Sequence, residues 1–91
     1  MVIHVEFFGI PRQRAGTSAV GLEFGGEHVA LAFVLAELAR QFPEWGAACL
    51  DRGSLRPEYL ANLGGEQFIS DPGFPLQPGD ALLLMSADAG G

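Results

Sequence analysis

Residues 29–43 read VALAFVLAELARQFP, and the spacing within them decides what kind of domain this is. Leu31, Val34, Leu35, Leu38 and Phe42 recur at i, i+3, i+4, i+7 and i+11, which puts five apolar side chains on one stripe of a helix. Glu37, Arg40 and Gln41 fall on the opposite side. Pro43 lacks an amide hydrogen and disfavours helical geometry at the residue before it, so the spacing predicts a helix over Val29–Phe42. At about 1.5 Å per residue such a helix is about 21 Å long, enough to lie across a small sheet.

The flanking segments change period. Val2–Phe8 alternates, with Ile3, Val5 and Phe7 on one side and His4 and Glu6 on the other, which predicts a strand. Gly9–Gly16, with Pro11 and two arginines, reads as a loop, and Thr17–Phe24 as a second strand closed by Gly25-Gly26. After the helix, Glu44–Pro57 reads as an irregular connection carrying Trp45, Cys49 and Leu50. Glu58–Leu63 and Gln67–Ser70 flank Gly64-Gly65, a pair able to take the positive φ of a hairpin turn. Asp71–Asp80 holds Pro72, Pro75 and Pro78, which exclude a regular helix or a central strand, and Ala81–Met85 is a final strand. Strands on both sides of a single helix predict one α+β domain over residues 1–85, its helix packed on one face of a sheet of about five strands. Residues 86–91 follow as a flexible C-terminal tail.

Composition bounds what such a domain can do. Ninety-one residues make one domain, and 48% apolar with 18% charged residues supplies a core and argues against disorder. Eleven acids stand against five bases, all arginine (Arg12, Arg14, Arg40, Arg52, Arg56); there is no lysine, and the formal net charge is −6. A nucleic-acid partner needs a basic stripe to displace counterions, and a membrane surface a cationic face; neither exists here. The longest wholly apolar stretch, Val29–Ala36, is far short of the roughly 20 residues that cross a bilayer. Nothing in MVIHVEFF resembles an export signal, so a cytoplasmic location is expected. The lone Cys49 excludes an intramolecular disulfide and two-cysteine metal motifs.

The sharpest signal is Gly90-Gly91. The other glycine pairs, 25–26 and 64–65, have turns to make; this one has none. A tail without side chains threads a narrow slot in another protein and presents the Gly91 carboxylate with little steric resistance. A carboxylate is a poor electrophile until its oxygen becomes a leaving group, which takes ATP, and the chain has no phosphate-cradling motif of its own. The chain is therefore expected to be a carrier or co-substrate, with catalysis supplied by partner enzymes.

The order of elements, the stripe ending in Phe42-Pro43, Leu76-Gln77-Pro78-Gly79-Asp80 before a strand and the Gly90-Gly91 ending resemble the ubiquitin-like sulfur carriers. Val5-Glu6-Phe7-Phe8-Gly9 followed by Arg12–Gly16 is similar to the opening of the molybdopterin synthase small subunit, MoaD, more than of the thiamine-pathway carrier, ThiS. The resemblance covers nearly the whole chain and implies a β-grasp fold. It also implies adenylation of Gly91 by a MoeB/ThiF-type activating enzyme using ATP, and replacement of AMP by sulfur from a persulfide donor. The resulting thiocarboxylate would deliver its sulfur in molybdopterin biosynthesis, inside a MoaE-type large subunit. No bound cofactor or metal is implied. Ser86-Ala87 stands where many MoaD proteins carry Pro-Pro, and Asp88 where a small apolar residue is usual. The same chemistry serving thiamine, cysteine, tRNA thiolation or a secondary metabolite is the alternative, as is a ubiquitin-like protein modifier.

The last strand is apolar on both sides. Aligned to the family's pattern, Leu82 and Leu84 face the helix and leave Leu83 and Met85 on the open face. There they join Ala89 and Gly90 as the expected partner-binding residues, unless the Trp45–Leu55 segment folds over them. His4 and His28 lack metal-ligand spacing, Cys49 reads as an idle loop thiol, Arg12 and Arg14 as solvated, and Phe33 and Trp45 as packing residues.

Overall fold

The computed structural model describes residues 1–87. Its elements are β1 (Val2–Phe7), α1 (Ile10–Ala15), β2 (Ala19–Glu23), β3 (Val29–Ala30), α2 (Leu31–Gln41), α3 (Pro43–Cys49), β4 (Leu50–Asp51), β5 (Ser54–Leu55), β6 (Tyr59–Leu63), β7 (Gln67–Ile69), β8 (Pro75–Leu76) and β9 (Ala81–Ser86). Five of the strands form one mixed sheet in the order β2-β1-β9-β6-β7, in which β1 and β9 run parallel and the other pairs antiparallel. The architecture is α+β, as the element order predicts.

The sheet's inner face and α2 make the core. Ile3, Val5 and Phe7 of β1, Leu22 of β2, Ala61 of β6, Ile69 of β7 and Leu82 and Leu84 of β9 are all buried. Against them lie Leu31, Val34, Leu35 and Leu38, four of the five residues of the predicted stripe. The fifth, Phe42, caps α2 outside the helix and packs edge-on against Phe7, with ring centroids 5.7 Å apart.

Three segments differ from the sequence reading. Gly9–Gly16 is not a loop: Gly9 takes φ 62°, Pro11 stands in the first turn, and Gly16 closes α1 at φ 76° with its N–H donated to the Arg12 carbonyl. The main helix starts at Leu31 rather than Val29, because Val29-Ala30 pairs with Pro75-Leu76. The first helical amides are then satisfied from outside: Leu31 N–H donates to the Phe74 carbonyl and Ala32 N–H to that of Pro72. Glu44–Pro57 is not irregular either. Pro43, which ends α2, also opens α3, where a proline costs no hydrogen bond, and Trp45 and Cys49 at i and i+4 face the core. A short β4–β5 hairpin follows, turning through Arg52 (φ 52°) and Gly53 (φ 84°).

Trp45 is fully buried and stacks edge-on with Phe7, 6.0 Å between centroids, so the segment from Trp45 belongs to the helix side and does not cover Leu83 and Met85. α2 and α3 approach closely at Gly46, where a Cβ would lie 2.8 Å from the Ala39 Cβ. The final strand runs one residue past the predicted Met85: Ser86 pairs with Tyr59, and Ala87 N–H donates to the Glu58 carbonyl. No helix among the described residues is long and apolar enough to cross a membrane.

Candidate docking face and tail exit

Side chains alternate across a strand, so burying Leu82 and Leu84 turns Ala81, Leu83 and Met85 to the face that no helix covers. Leu83 and Met85 are half-buried there, on the face that the family resemblance implied. The register extends the apolar surface in both directions. Leu60 of β6 is the cross-strand partner of Met85, and Asn62 that of Leu83; on the far side of Asn62 stands Phe68 of β7, 62% exposed. Glu6 of β1 sits across from Leu83, and Phe8, two residues on, is 44% exposed.

The result is a band of Phe8, Leu83, Met85, Leu60 and Phe68 crossing four strands. Phe68 and Leu60 were missed in the sequence reading, which had no means of knowing which strands flank the last one. The alternation of Glu6 and Phe8 with Phe7 carried a signal for Phe8.

One polar side chain lies inside this band. Asn62 is 6% exposed, and its Oδ1 has no hydrogen-bond partner. A buried, unpaired acceptor costs about 1–3 kcal/mol. Its neighbours across the strands, Leu83 and Phe68, offer none. Carboxylates border the face: Glu6 beside Leu83, and Glu23 at the edge strand, opposite Val2. Neither forms an ion pair; among the described residues the pair is Arg40–Glu37, at 2.7 Å on the outer side of α2. There the Arg40 guanidinium, helped by the Gln41 amide, holds the Glu37 carboxyl down to about 2. The open face thus matches a partner surface that is apolar at its centre and basic at its rim.

The chain leaves the sheet at one end of this band. Ser86 closes the β6–β9 ladder and Ala87 is tied to Glu58, so whatever follows starts beside Met85 and Leu60. Gly9 stands next to this exit: a Cβ built on it would lie 3.7 Å from the Ser86 Oγ. Ile10, 43% exposed, follows it. Asp88, Ala89, Gly90 and Gly91 lie outside the described residues.

The remaining candidates sort by position. His4 and His28 are exposed and apart, and no group of three or more His, Cys, Asp or Glu that could hold a metal occurs among the described residues. Arg12 and Arg14 are exposed on α1. Cys49 is the last residue of α3 rather than a loop residue; it is fully buried, and burial pushes its thiol above the ordinary range. Phe33 departs from expectation: it is 68% exposed on the outer side of α2. An apolar cavity of about 250 Å³ opens on the helix side, between Leu31, Leu35, Leu55 and Ile69, with Arg56 as its charged residue.

No family model and no curated protein matches the sequence. The backbone does match solved structures. Small archaeal modifier protein 1 of Haloferax volcanii superposes with a TM-score of 0.84 over 100% of both chains, at 20% identity. The fold is the ubiquitin-like β-grasp. A Pyrococcus furiosus protein provisionally assigned as molybdopterin converting factor, subunit 1, matches at TM-score 0.77 and 15% identity, over 94% of this chain and 97% of that one. A chain of the Amycolatopsis orientalis BexX/CysO complex matches at 0.71 and 16%, over 98% and 99%. In this β-grasp the last strand, β9, is the central strand of the sheet, between its parallel neighbour β1 and β6.

Proposed function

We propose that this chain is a sulfur carrier, thiocarboxylated at Gly91, that serves as the small subunit of a molybdopterin synthase. The observation that supports it is the union of a β-grasp domain with an uncovered apolar face and a Gly90-Gly91 sequence beginning three residues beyond Ala87, at the exit beside that face. One of the structural neighbours bears the name of a molybdopterin converting factor subunit, which favours this product. Partner enzymes do the chemistry, and the chain is not itself a catalyst; a cytoplasmic setting, where ATP is supplied, suits the reaction.

The steps follow from the groups. Attack of the Gly91 carboxylate on the α-phosphorus of ATP, in a MoeB/ThiF-type enzyme, makes an acyl adenylate and releases pyrophosphate. A persulfide sulfur displaces AMP, and a thiol reductant cleaves the S–S bond to leave the thiocarboxylate. Its sulfur is a better nucleophile than the carboxylate oxygen, and carriage into a closed partner site, such as that of a MoaE-type subunit, keeps out competing water. The open face, with Leu83 and Met85, docks while Ala89 and Gly90 thread the slot.

Incubation with an activating enzyme, ATP and a sulfur donor, followed by intact mass measurement, is expected to replace one oxygen of Gly91 by sulfur. Failure with every activating enzyme encoded in the same genome refutes the carrier reading. Turnover with a MoaE-type subunit then tests the product; thiamine, cysteine, tRNA thiolation and secondary metabolism are the other sinks. A second reading, attachment to other proteins through Gly91, draws on the likeness to a small archaeal modifier protein over the full chain. Denaturing pull-down of tagged chain separates the two: a ladder of adducts supports attachment, and a single band excludes it.

A further inference from the structure

The cavity of about 250 Å³ on the helix side of the sheet has no part in the reading above. Buried core residues line it: Leu31 and Leu35 from α2 and Ile69 from β7. Leu55 of β5 lines it as well, and the short side chains of Ala32 and Ala61 leave its space unfilled. Protein interiors rarely hold a void much larger than one water, whereas this one has room for about eight at their liquid volume. Waters against leucine and isoleucine walls find few hydrogen-bond partners, so an apolar body that displaces them gains affinity. An apolar cavity of about 150 Å³ takes benzene, and in proportion this one takes about ten carbons.

The cavity also carries a charge, and of the sign the chain is short of. Eleven acids give the chain a formal net charge of −6, yet no Asp or Glu lines the cavity and Arg56 does. Arg56 is half-buried, and among the described residues no carboxylate pairs with it; the ion pair is that of Arg40 with Glu37. Its backbone is held on both sides, since its N–H donates to the Cys49 carbonyl at 2.9 Å and its carbonyl accepts from the Tyr59 N–H at 3.0 Å. A guanidinium partly withdrawn from water and without a counter-charge suits a planar anion, which it binds through two parallel N–H donors. The hydroxyls of Ser54 and Ser70, which line the same cavity, add donors for such an anion.

We propose that this cavity binds a small organic acid with an apolar body of about ten carbons, its carboxylate paired with Arg56. The apolar walls take the body, and the one charged lining residue selects the acid over a neutral molecule of the same shape. The site lies on the helix side of the sheet, away from Leu83 and Met85, so it depends on neither the docking face nor the sulfur-carrier reading.

The test uses the isotope-labelled full chain with no partner enzyme. The probe is 4-phenylbutyrate, and 4-phenylbutyramide is its uncharged counterpart. At the ordinary efficiency of drug-sized ligands, an acid of about twelve heavy atoms binds with a dissociation constant on the order of 1 mM. NMR titration is expected to show saturable shifts gathered at the amides of Leu31, Leu35, Leu55, Arg56 and Ile69. The uncharged amide is expected to bind about tenfold more weakly, and Arg56→Gln to weaken the acid about tenfold while leaving the amide unchanged. Equal affinity of the wild type for acid and amide overturns the proposal, because Arg56 would then read no charge. So does the absence of saturation well above the expected constant, or a set of shifts centred on Arg12, Arg14 or Arg40 instead. Should Arg56→Gln fail to fold, the comparison of acid and amide on the wild type decides by itself.

Discussion

Gly46→Ala separates packing from helix propensity in a way the structure makes quantitative. Gly46 lies inside α3, where alanine is intrinsically better by about 1 kcal/mol. Against that gain, the added methyl carbon would sit 2.8 Å from the Ala39 Cβ and 3.2 Å from the Ala39 Cα. Non-bonded carbons prefer about 3.5–4.0 Å, and the second of these atoms is backbone, so relief requires α3 to move off α2. Overpacking of this kind costs about 1–3 kcal/mol, or more where the backbone must yield. α3 is also tied at its N-terminal end, by Phe42 against Phe7 and by Trp45 against the same ring, which leaves little room to shift. The net expectation is a loss of about 1–2 kcal/mol, or about 5–15 °C in melting temperature for a domain of this size. Urea unfolding and calorimetry read the change directly. Ala39→Gly in the same chain removes the closer of the two contacts, that with the Ala39 Cβ, and is expected to recover part of the loss, less about 1 kcal/mol for glycine within α2. A Gly46→Ala protein as stable as the wild type would refute the close approach of the two helices.

Three further outcomes follow. Phe68→Ser and Met85→Ser are expected to weaken binding to an activating enzyme or large subunit by about 1–3 kcal/mol each, while Phe68→Ser changes folding stability by less than about 0.5 kcal/mol; equal affinity for both variants in calorimetry would remove the open face from the docking site. The Glu37 carboxyl titrates near 2, below its ordinary 4.5, so whatever stability it contributes is complete above about 4.5 and is lost as pH falls toward 2. NMR titration should find its midpoint depressed, and Arg40→Gln should return it toward the ordinary value. Cys49 should resist a thiol reagent in the native protein and react at once in denaturant; prompt native reaction would mean the thiol is not buried.

Much of the fold was legible because two periods, 2 in Val2–Phe7 and 3.6 in Leu31–Leu38, are written in apolar residues. Burying Ile3, Val5 and Phe7 on one side and a helix stripe on the other leaves few arrangements. The elements misread were short ones, α1, α3 and the β4–β5 hairpin, whose lengths of 6, 7 and 2 residues are below what periodicity can detect. Their boundary signals were nonetheless present. Pro11 near a start and Gly16 just past an end mark α1, and Pro43 marks the start of α3 as well as the end of α2. Phe33 escaped because its composition reads as core while its place in the turn of α2 points it to solvent.

The candidate site divides along the same line. The sequence by itself determined the Gly90-Gly91 ending, the want of lysine, the acid excess and the two-sided apolar character of the last strand, because these are properties of residue types and their order. Which residues join Leu83 and Met85 depends on strand order and register, and these come from pairings between residues far apart in the chain. β6 adjoins β9, which brings Leu60 and Asn62 to the face, and β7 adjoins β6, which brings Phe68. The parallel β1–β9 pair likewise decided that the start of β1 and the exit at Ala87 lie at opposite ends of the sheet. Local periodicity cannot encode such distances, since a strand's alternation specifies which side chains share a face but not which other strand lies beside them.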